Sequence, residues 1–197
     1  MYHCKNVYRA ILFCLVLSLS VNLSSQETII NSPPEVRTKK TIEEVGDILQ
    51  IALPTTAGLV TVLSGDYDGS WQFLKSFSAN LAVTYFLKFT IDKDRPAGAT
   101  DGHAFPSGHT SSAFQGASFI QRRYGWKYGV PAYLLATFTA YSRVEGINKR
   151  HDVYDVIGGA TLGILSSYLF TKPKKDNLDI TFSSSKNFTG ISLVLKF

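Results

Sequence analysis

The stretch Phe105-Pro106-Ser107-Gly108-His109-Thr110-Ser111-Ser112 constrains the fold of this chain more than any other. Pro106 ends any helix before it and holds the preceding residue extended. Ser107 is a good N-cap, and the run from Thr110 to Ile120 can continue as a helix. The N–H groups of Ser107, Gly108 and His109 then point out of a helix N-terminus, a natural seat for phosphate or another oxyanion. Gly108 has no Cβ to hold the anion away, and His109 can give or take a proton beside it. Plain helix capping uses the same residues, so this reading needs partners from elsewhere in the chain.

Five helical segments supply the setting. Glu27 to Lys40 is polar, contains Pro33-Pro34 and reads as a linker. Thr41-Ile42-Glu43-Glu44 has the form of a capping box opening a first helix to about Leu63. Asp66 to Ser70 reads as a turn; Trp71 stands where a calcium loop would need glycine. The second helix is expected from about Ser70 to Ile91, the third from Ser107 to about Arg123, and the fourth from about Tyr128 to Arg143. Pro131 falls in the first turns of the fourth, where proline is tolerated. The fifth, Asp152 to Phe170, carries Gly158, Gly159, Ala160 and Gly163, suited to close helix packing. Beyond it, Leu178 to Ser183 and Phe188 to Phe197 alternate apolar and polar residues, as in a β-hairpin. The fold class is therefore all-α: a bundle of about five core helices with its site at one end, plus a C-terminal β-hairpin. The domain reading is a signal peptide over 1–26, a linker over 27–40, a helical domain over 41–175 and a hairpin tail over 176–197.

Charge and cysteine content narrow the function. A net charge of +5 and a pI near 9.1 favour anionic partners, either phosphate esters or a lipid headgroup surface. The Lys and Arg residues form no long basic arm, which argues against nucleic acid. Lys5 and Arg9 precede the apolar run Ala10 to Val21, and Asn22 to Gln26 offers cleavage choices. An uncleaved anchor is the alternative reading of that segment. Cys4 and Cys14 both fall inside it, so the mature chain is expected to lack disulfides, thiolate metal sites and a cysteine nucleophile.

Antiparallel packing of successive helices would gather the chemistry at one end. Lys88 lies near the end of the second helix, and Arg95 follows in the next loop. Ser107, Gly108 and His109 open the third helix, Arg143 closes the fourth, and His151 opens the fifth. Asp155 follows His151 at i+4, close enough for a carboxylate to hold one imidazole nitrogen and orient the other as a base or nucleophile. A helix-start histidine beside a capping aspartate is the plainer alternative for that pair alone.

Taken together, these residues resemble a known family. Lys88-x6-Arg95-Pro96, then Pro106-Ser107-Gly108-His109, then Ser142-Arg143 with His151-x3-Asp155 are similar to the three signatures of the type 2 phosphatidic acid phosphatase superfamily. That group includes lipid phosphatases, bacterial acid phosphatases and vanadium haloperoxidases, and the resemblance spans about Asp47 to Phe170. It implies that His151 attacks phosphorus, oriented by Asp155, to form a phosphohistidine, while His109 protonates the leaving oxygen. It further implies that Lys88, Arg95, Ser107, Gly108 and Arg143 hold the phosphoryl oxygens. Fixed cations of this kind can stabilise a loose phosphoryl transition state, so neither cofactor nor metal is implied. Asp101 and His103 read as an exposed loop pair rather than metal ligands. The interval Val144 to Arg150 is two residues longer than the family's usual one, which makes Arg150 an alternative to Arg143.

The function implied is a metal-independent phosphatase acting on a phosphate monoester, with a phosphorylated lipid or a small phosphate ester as partner. The alternatives are a soluble periplasmic acid phosphatase, a vanadate-dependent haloperoxidase, and a phosphate- or headgroup-binding protein without turnover. Ile48 to Leu63 and Val156 to Thr171 are free of charge but slightly short for membrane spans. Five spans would place the site outside and Arg122, Arg123 and Lys172 to Lys175 inside, as the positive-inside rule prefers. The expected location is the cell envelope: a membrane with the site facing the periplasm, or the periplasm itself.

Overall fold

The computed structural model describes residues 33–96 and 102–174, together with the backbone of 178–185 and 188–195. The expected signal segment over 1–26 and the loop residue Asp101 lie outside the described residues.

The first helix, α1, runs Pro34–Leu63 and so begins earlier than the expected Thr41. Pro34 is already suited to a first helical position, and Glu35 pairs with Lys39 one turn on at 2.7 Å. Residues 34–40 are therefore helical rather than linker, and Thr41 to Glu44 lie inside the helix without forming a cap.

Helix α2 is Tyr67–Ile91, and its N-cap Asp66 accepts from the Gly69 N–H at 3.1 Å. The expected turn at Asp66 is thus the cap itself, and the helix starts before Ser70. Helix α3, Gly108–Tyr124, is capped by Ser107 as its sequence indicates, and the Phe105–Pro106 peptide is cis. Helix α4, Trp126–Glu145, follows after Gly125, whose φ of 91° reverses the chain between the two helices. Helix α5, Val153–Phe170, opens on a reciprocal capping box between Asp152 and Asp155. Past it, the backbone of Leu178–Ser185 (β1) and Phe188–Leu195 (β2) lies as an antiparallel pair, with Leu178 opposite Leu195.

Helix α3 is central, packed against α1, α4 and α5. The core it anchors is built from small residues, Ala113, Ala117, Ala132 and Ala136 among them, around Leu53, Phe119 and Ile120. Helix α5 comes close to α3 because Gly159 and Gly163 face its backbone. A Cβ at either would lie 2.4 Å from the Ser107 or Ser111 carbonyl oxygen, so no larger residue fits.

Polar side chains fill much of the remaining interior. Ser111 Oγ donates to Asn80 Oδ1 at 2.8 Å and lies 2.9 Å from Thr84 Oγ1. Gln115 Nε2 donates to Ser76 Oγ at 3.0 Å. On α2 the buried residues are Gly69, Ser76, Asn80 and Thr84, whereas Trp71, Leu74, Phe86 and Phe89 stand exposed. Helix α5 repeats the inversion: it buries Asp155, Gly159, Gly163, Ser166 and Ser167 and exposes Tyr154, Ile157, Leu165 and Leu169.

Opposite the His109 end, α3 is tied down by charge. The buried Arg123 guanidinium grips both oxygens of Asp66, donates to the Lys172 carbonyl at 3.0 Å, and is joined by Tyr124, whose hydroxyl donates to Asp66.

Candidate active site

Alternating helix directions bring the end of α2, the start of α3, the end of α4 and the loop before α5 to one end of the bundle. They enclose a cavity of about 340 Å³ lined by Lys88, Arg95, Gly108, His109, Arg143 and His151. Six of the eight residues that the sequence nominates thus share one space. Ser107 and Asp155 do not line it.

Ser107 is fully buried, and its hydroxyl caps α3 by accepting from the Thr110 N–H and hydroxyl. Its own N–H donates to the Asp155 carbonyl at 2.9 Å. That N–H, expected to face an anion, is instead taken by the close approach of α5, and Ser107 joins the two helices behind the cavity. The hydroxyl accepts within α3 and keeps its own hydrogen to donate. Asp155 is fully buried behind His151, with Oδ2 3.5 Å from His151 Nδ1. That is longer than an ordinary N–H···O hydrogen bond.

Lys88 and Arg143 are both anchored. Lys88 Nζ donates to the His103 carbonyl at 2.8 Å, and His103 Nδ1 lies 3.0 Å from the Lys88 carbonyl and 2.9 Å from Asp92 Oδ1. His103 therefore clasps the last turn of α2. Arg143 is buried and donates to Asp47 Oδ1 and to the Glu43 carbonyl, each at 2.8 Å. The longer loop after α4 is tied back to the same helix, because the Glu43 carboxylate accepts from the Asn148 backbone and side-chain N–H groups at 3.1 and 2.8 Å. Arg143 consequently stays on the cavity wall despite the extra loop length, and Arg150 lines the cavity as well.

His151 is 5% exposed, and its imidazole is pushed down to about 4. Burial is the largest cause and the Lys88 charge adds to it, while Asp155 pulls the other way. The ring is therefore neutral at neutral pH, the state a nucleophile needs.

Two carboxylate-linked contacts were not nominated from sequence. Asp47 on α1 lies 3.1 Å from His109 Nε2 through the same oxygen that holds Arg143. Lys93, in the loop before Arg95, donates to Asp155 Oδ1 at 2.8 Å and also to Asp152 Oδ2. For Asp47 no local signal existed: it follows Glu43 and Glu44 in the charged first half of α1.

Residues 69–178 match the model of the PAP2 superfamily. A lipid A 4'-phosphatase of Helicobacter pylori is 34% identical over 164 residues, covering 77% of this chain and 80% of that protein. A lipid A 1-phosphatase of Porphyromonas gingivalis is 36% identical over 105 residues, covering 48% of this chain and 23% of that protein. Among solved structures, a transmembrane PAP2-type phosphatidylglycerolphosphate phosphatase from Bacillus subtilis superposes with a TM-score of 0.52 at 22% identity. The alignment covers 86% of this chain and 94% of that one, and it shows the fold. A helical bundle of this build, a site assembled from three ordered motifs, and these likenesses agree: the chain belongs to the PAP2 superfamily.

Proposed function

We propose that this PAP2-superfamily phosphatase removes phosphate from a phosphorylated lipid at a membrane surface through a covalent phosphohistidine. The observation that carries the chemistry is the neutral, buried His151 in a cavity shared with Lys88, Arg95, Arg143 and His109. His151 Nδ1 faces Asp155, which leaves Nε2 to attack phosphorus. The P–O bond to the lipid breaks as the N–P bond forms, and His109 gives its proton to the departing alkoxide. Water then attacks the phosphohistidine, giving a proton back to His109 as the N–P bond breaks, which releases inorganic phosphate and restores both imidazoles. Lys88, Arg95, Arg143 and the Gly108 N–H stabilise the charge on the non-bridging oxygens throughout.

A membrane setting is supported by the inverted helices. α2 and α5 bury their small and polar residues and present aromatic and aliphatic side chains outward. Water would penalise such a surface, whereas lipid accommodates it. Helices α1 and α5 are long and apolar enough to cross a bilayer. Arg122, Arg123, Lys172 and Lys174 cluster at the opposite end of the bundle, near the Asp66 cap; by the positive-inside rule this supports a cavity facing the outer, periplasmic side. The same surface disfavours a freely soluble acid phosphatase. The relatives' names support lipid A phosphates as the first substrates to try, at either position.

The test uses the full chain purified in detergent. Wild type should release phosphate from lipid A and from a short-chain phosphatidic acid, with a 32P-labelled, acid-labile phosphoenzyme trapped on rapid quenching. His151→Ala should lose both. Phosphate release with no trapped intermediate, or trapping in His151→Ala, would overturn the nucleophile assignment.

A further inference from the structure

We infer that Lys93 is a positioning residue for His151, acting through the Asp152–Asp155 cap of α5 as one jaw of a clamp that holds the nucleophile's carboxylate partner. The inference rests on the phosphatase reading above for its kinetic consequence, but not for its geometry.

The Asp155 carboxylate is fully buried and is held from two sides. Oδ1 accepts from Lys93 Nζ at 2.8 Å, and Oδ2 accepts from the Asp152 N–H at 3.1 Å while facing His151 Nδ1 at 3.5 Å. The Lys93 ammonium also reaches Asp152 Oδ2, and Asp152 Oδ1 accepts from the Asp155 N–H at 3.0 Å. Lys93 thus binds both acids of a capping box whose first residue directly follows His151. Its own carbonyl accepts from the Ala104 N–H at 2.7 Å, which fixes the loop that carries it.

Two physical consequences follow. A buried carboxylate without a cation is costly, and His151, itself neutral, does not supply one. Lys93 does, at a position only two residues before Arg95. Lys93 also draws Asp155 toward Oδ1 and so limits how strongly Oδ2 pulls a proton onto His151. His151 Nδ1 is buried without a hydrogen-bond partner, so a fixed Oδ2 is its available orienting group. The charges around the imidazole are Lys88 from α2, Arg95 from the following loop, His109 from α3, Arg143 from α4, Arg150 beside it and Asp155 from α5. Lys93 reaches it through its hydrogen bond to Asp155.

The experiment compares wild type with Lys93→Met, Lys93→Gln and Lys93→Arg in detergent by two readouts. One is the titration of 13C,15N-labelled His151, assigned against His151→Gln. The other is kcat and KM for phosphatidic acid hydrolysis. Lys93→Met should move the His151 midpoint upward by about one pH unit, because a nearby cation is gone. It should also lower kcat on the order of tenfold with KM changed less than twofold. Lys93→Gln should show the same upward shift with a smaller kcat loss, and Lys93→Arg should restore both. Asp155→Asn should move the midpoint the opposite way. An unmoved midpoint together with kcat within twofold of wild type in Lys93→Met and Lys93→Gln overturns the clamp. If wild type releases no phosphate yet the midpoint shifts as stated, the clamp stands and the phosphatase reading falls.

Discussion

Asp47 Oδ1 lies 3.1 Å from His109 Nε2, so a residue of α1 pairs with the proposed general acid. The same oxygen is 2.8 Å from Arg143 Nη1. Helix α1 is thereby part of the site and not merely a wall of the bundle, although its residues precede the matched stretch at 69–178.

The leaving group should expose this pairing. Burial and the Arg143 charge disfavour the protonated form of His109 and Asp47 opposes them; an alkoxide needs that proton whereas a nitrophenolate departs without it. Asp47→Asn and His109→Ala should each lower turnover of an alkyl phosphate on the order of a hundredfold while retaining far more activity on p-nitrophenyl phosphate. Parallel steady-state assays on the two esters check this; equal losses on both would remove His109 from the acid role.

Arg95 should matter more than a cation that does not line the cavity. Arg95→Ala is expected to reduce kcat/KM on the order of a hundredfold or more, since it removes a preorganised donor from a phosphoryl site. Lys75, exposed beside Trp71 on the outer face of α2, provides the control, and Lys75→Ala should stay within about twofold of wild type. Similar small effects of both would place Arg95 outside the site.

Cationic side chains do the charge stabilisation in this scheme, so EDTA should leave phosphate release unchanged. Orthovanadate and inorganic phosphate should inhibit competitively, because each fits the same oxyanion seat. Loss of activity in EDTA that a divalent ion restores would contradict the scheme, and a shift of the 1/v intercept in Lineweaver–Burk plots would reveal a non-competitive pattern.

The opposite end of the bundle should set acid stability. Burial, the largest influence on Asp66, raises its pKa, yet hydrogen bonds from Arg123, Gly69 and Tyr124 outweigh it and hold the carboxyl below its ordinary 3.8. The unfolded chain therefore binds this proton first. The stabilisation is complete above about pH 4 and is lost as pH falls through the folded value. Arg123→Ala leaves Asp66 buried and short of its cation, which should cost about 3–5 kcal/mol. Thermal unfolding in detergent at pH 7 and pH 3 reads both effects: the variant should melt well below wild type at pH 7, and the gap should narrow at pH 3.

Much of this protein is set locally. Pro106, Ser107 and the small-residue run of α5 determine where helices begin and how closely two of them pack. The placement of Lys88, Arg95, His109, Arg143 and His151 at alternate helix ends is enough to predict one shared face. Capping and periodicity act within a few residues, so a sequence displays them directly. The early start of α1 was hidden because Pro33-Pro34 reads equally as a linker and as a helix opening. What only the tertiary structure decided are the pairings across long stretches of chain. Asp66 meets Arg123 across 57 residues, Lys93 meets Asp155 across 62, and Asp47 meets Arg143 across 96. An ion pair of this kind leaves no local pattern: its partners are chosen by which helix faces come together, and that follows from packing the whole bundle.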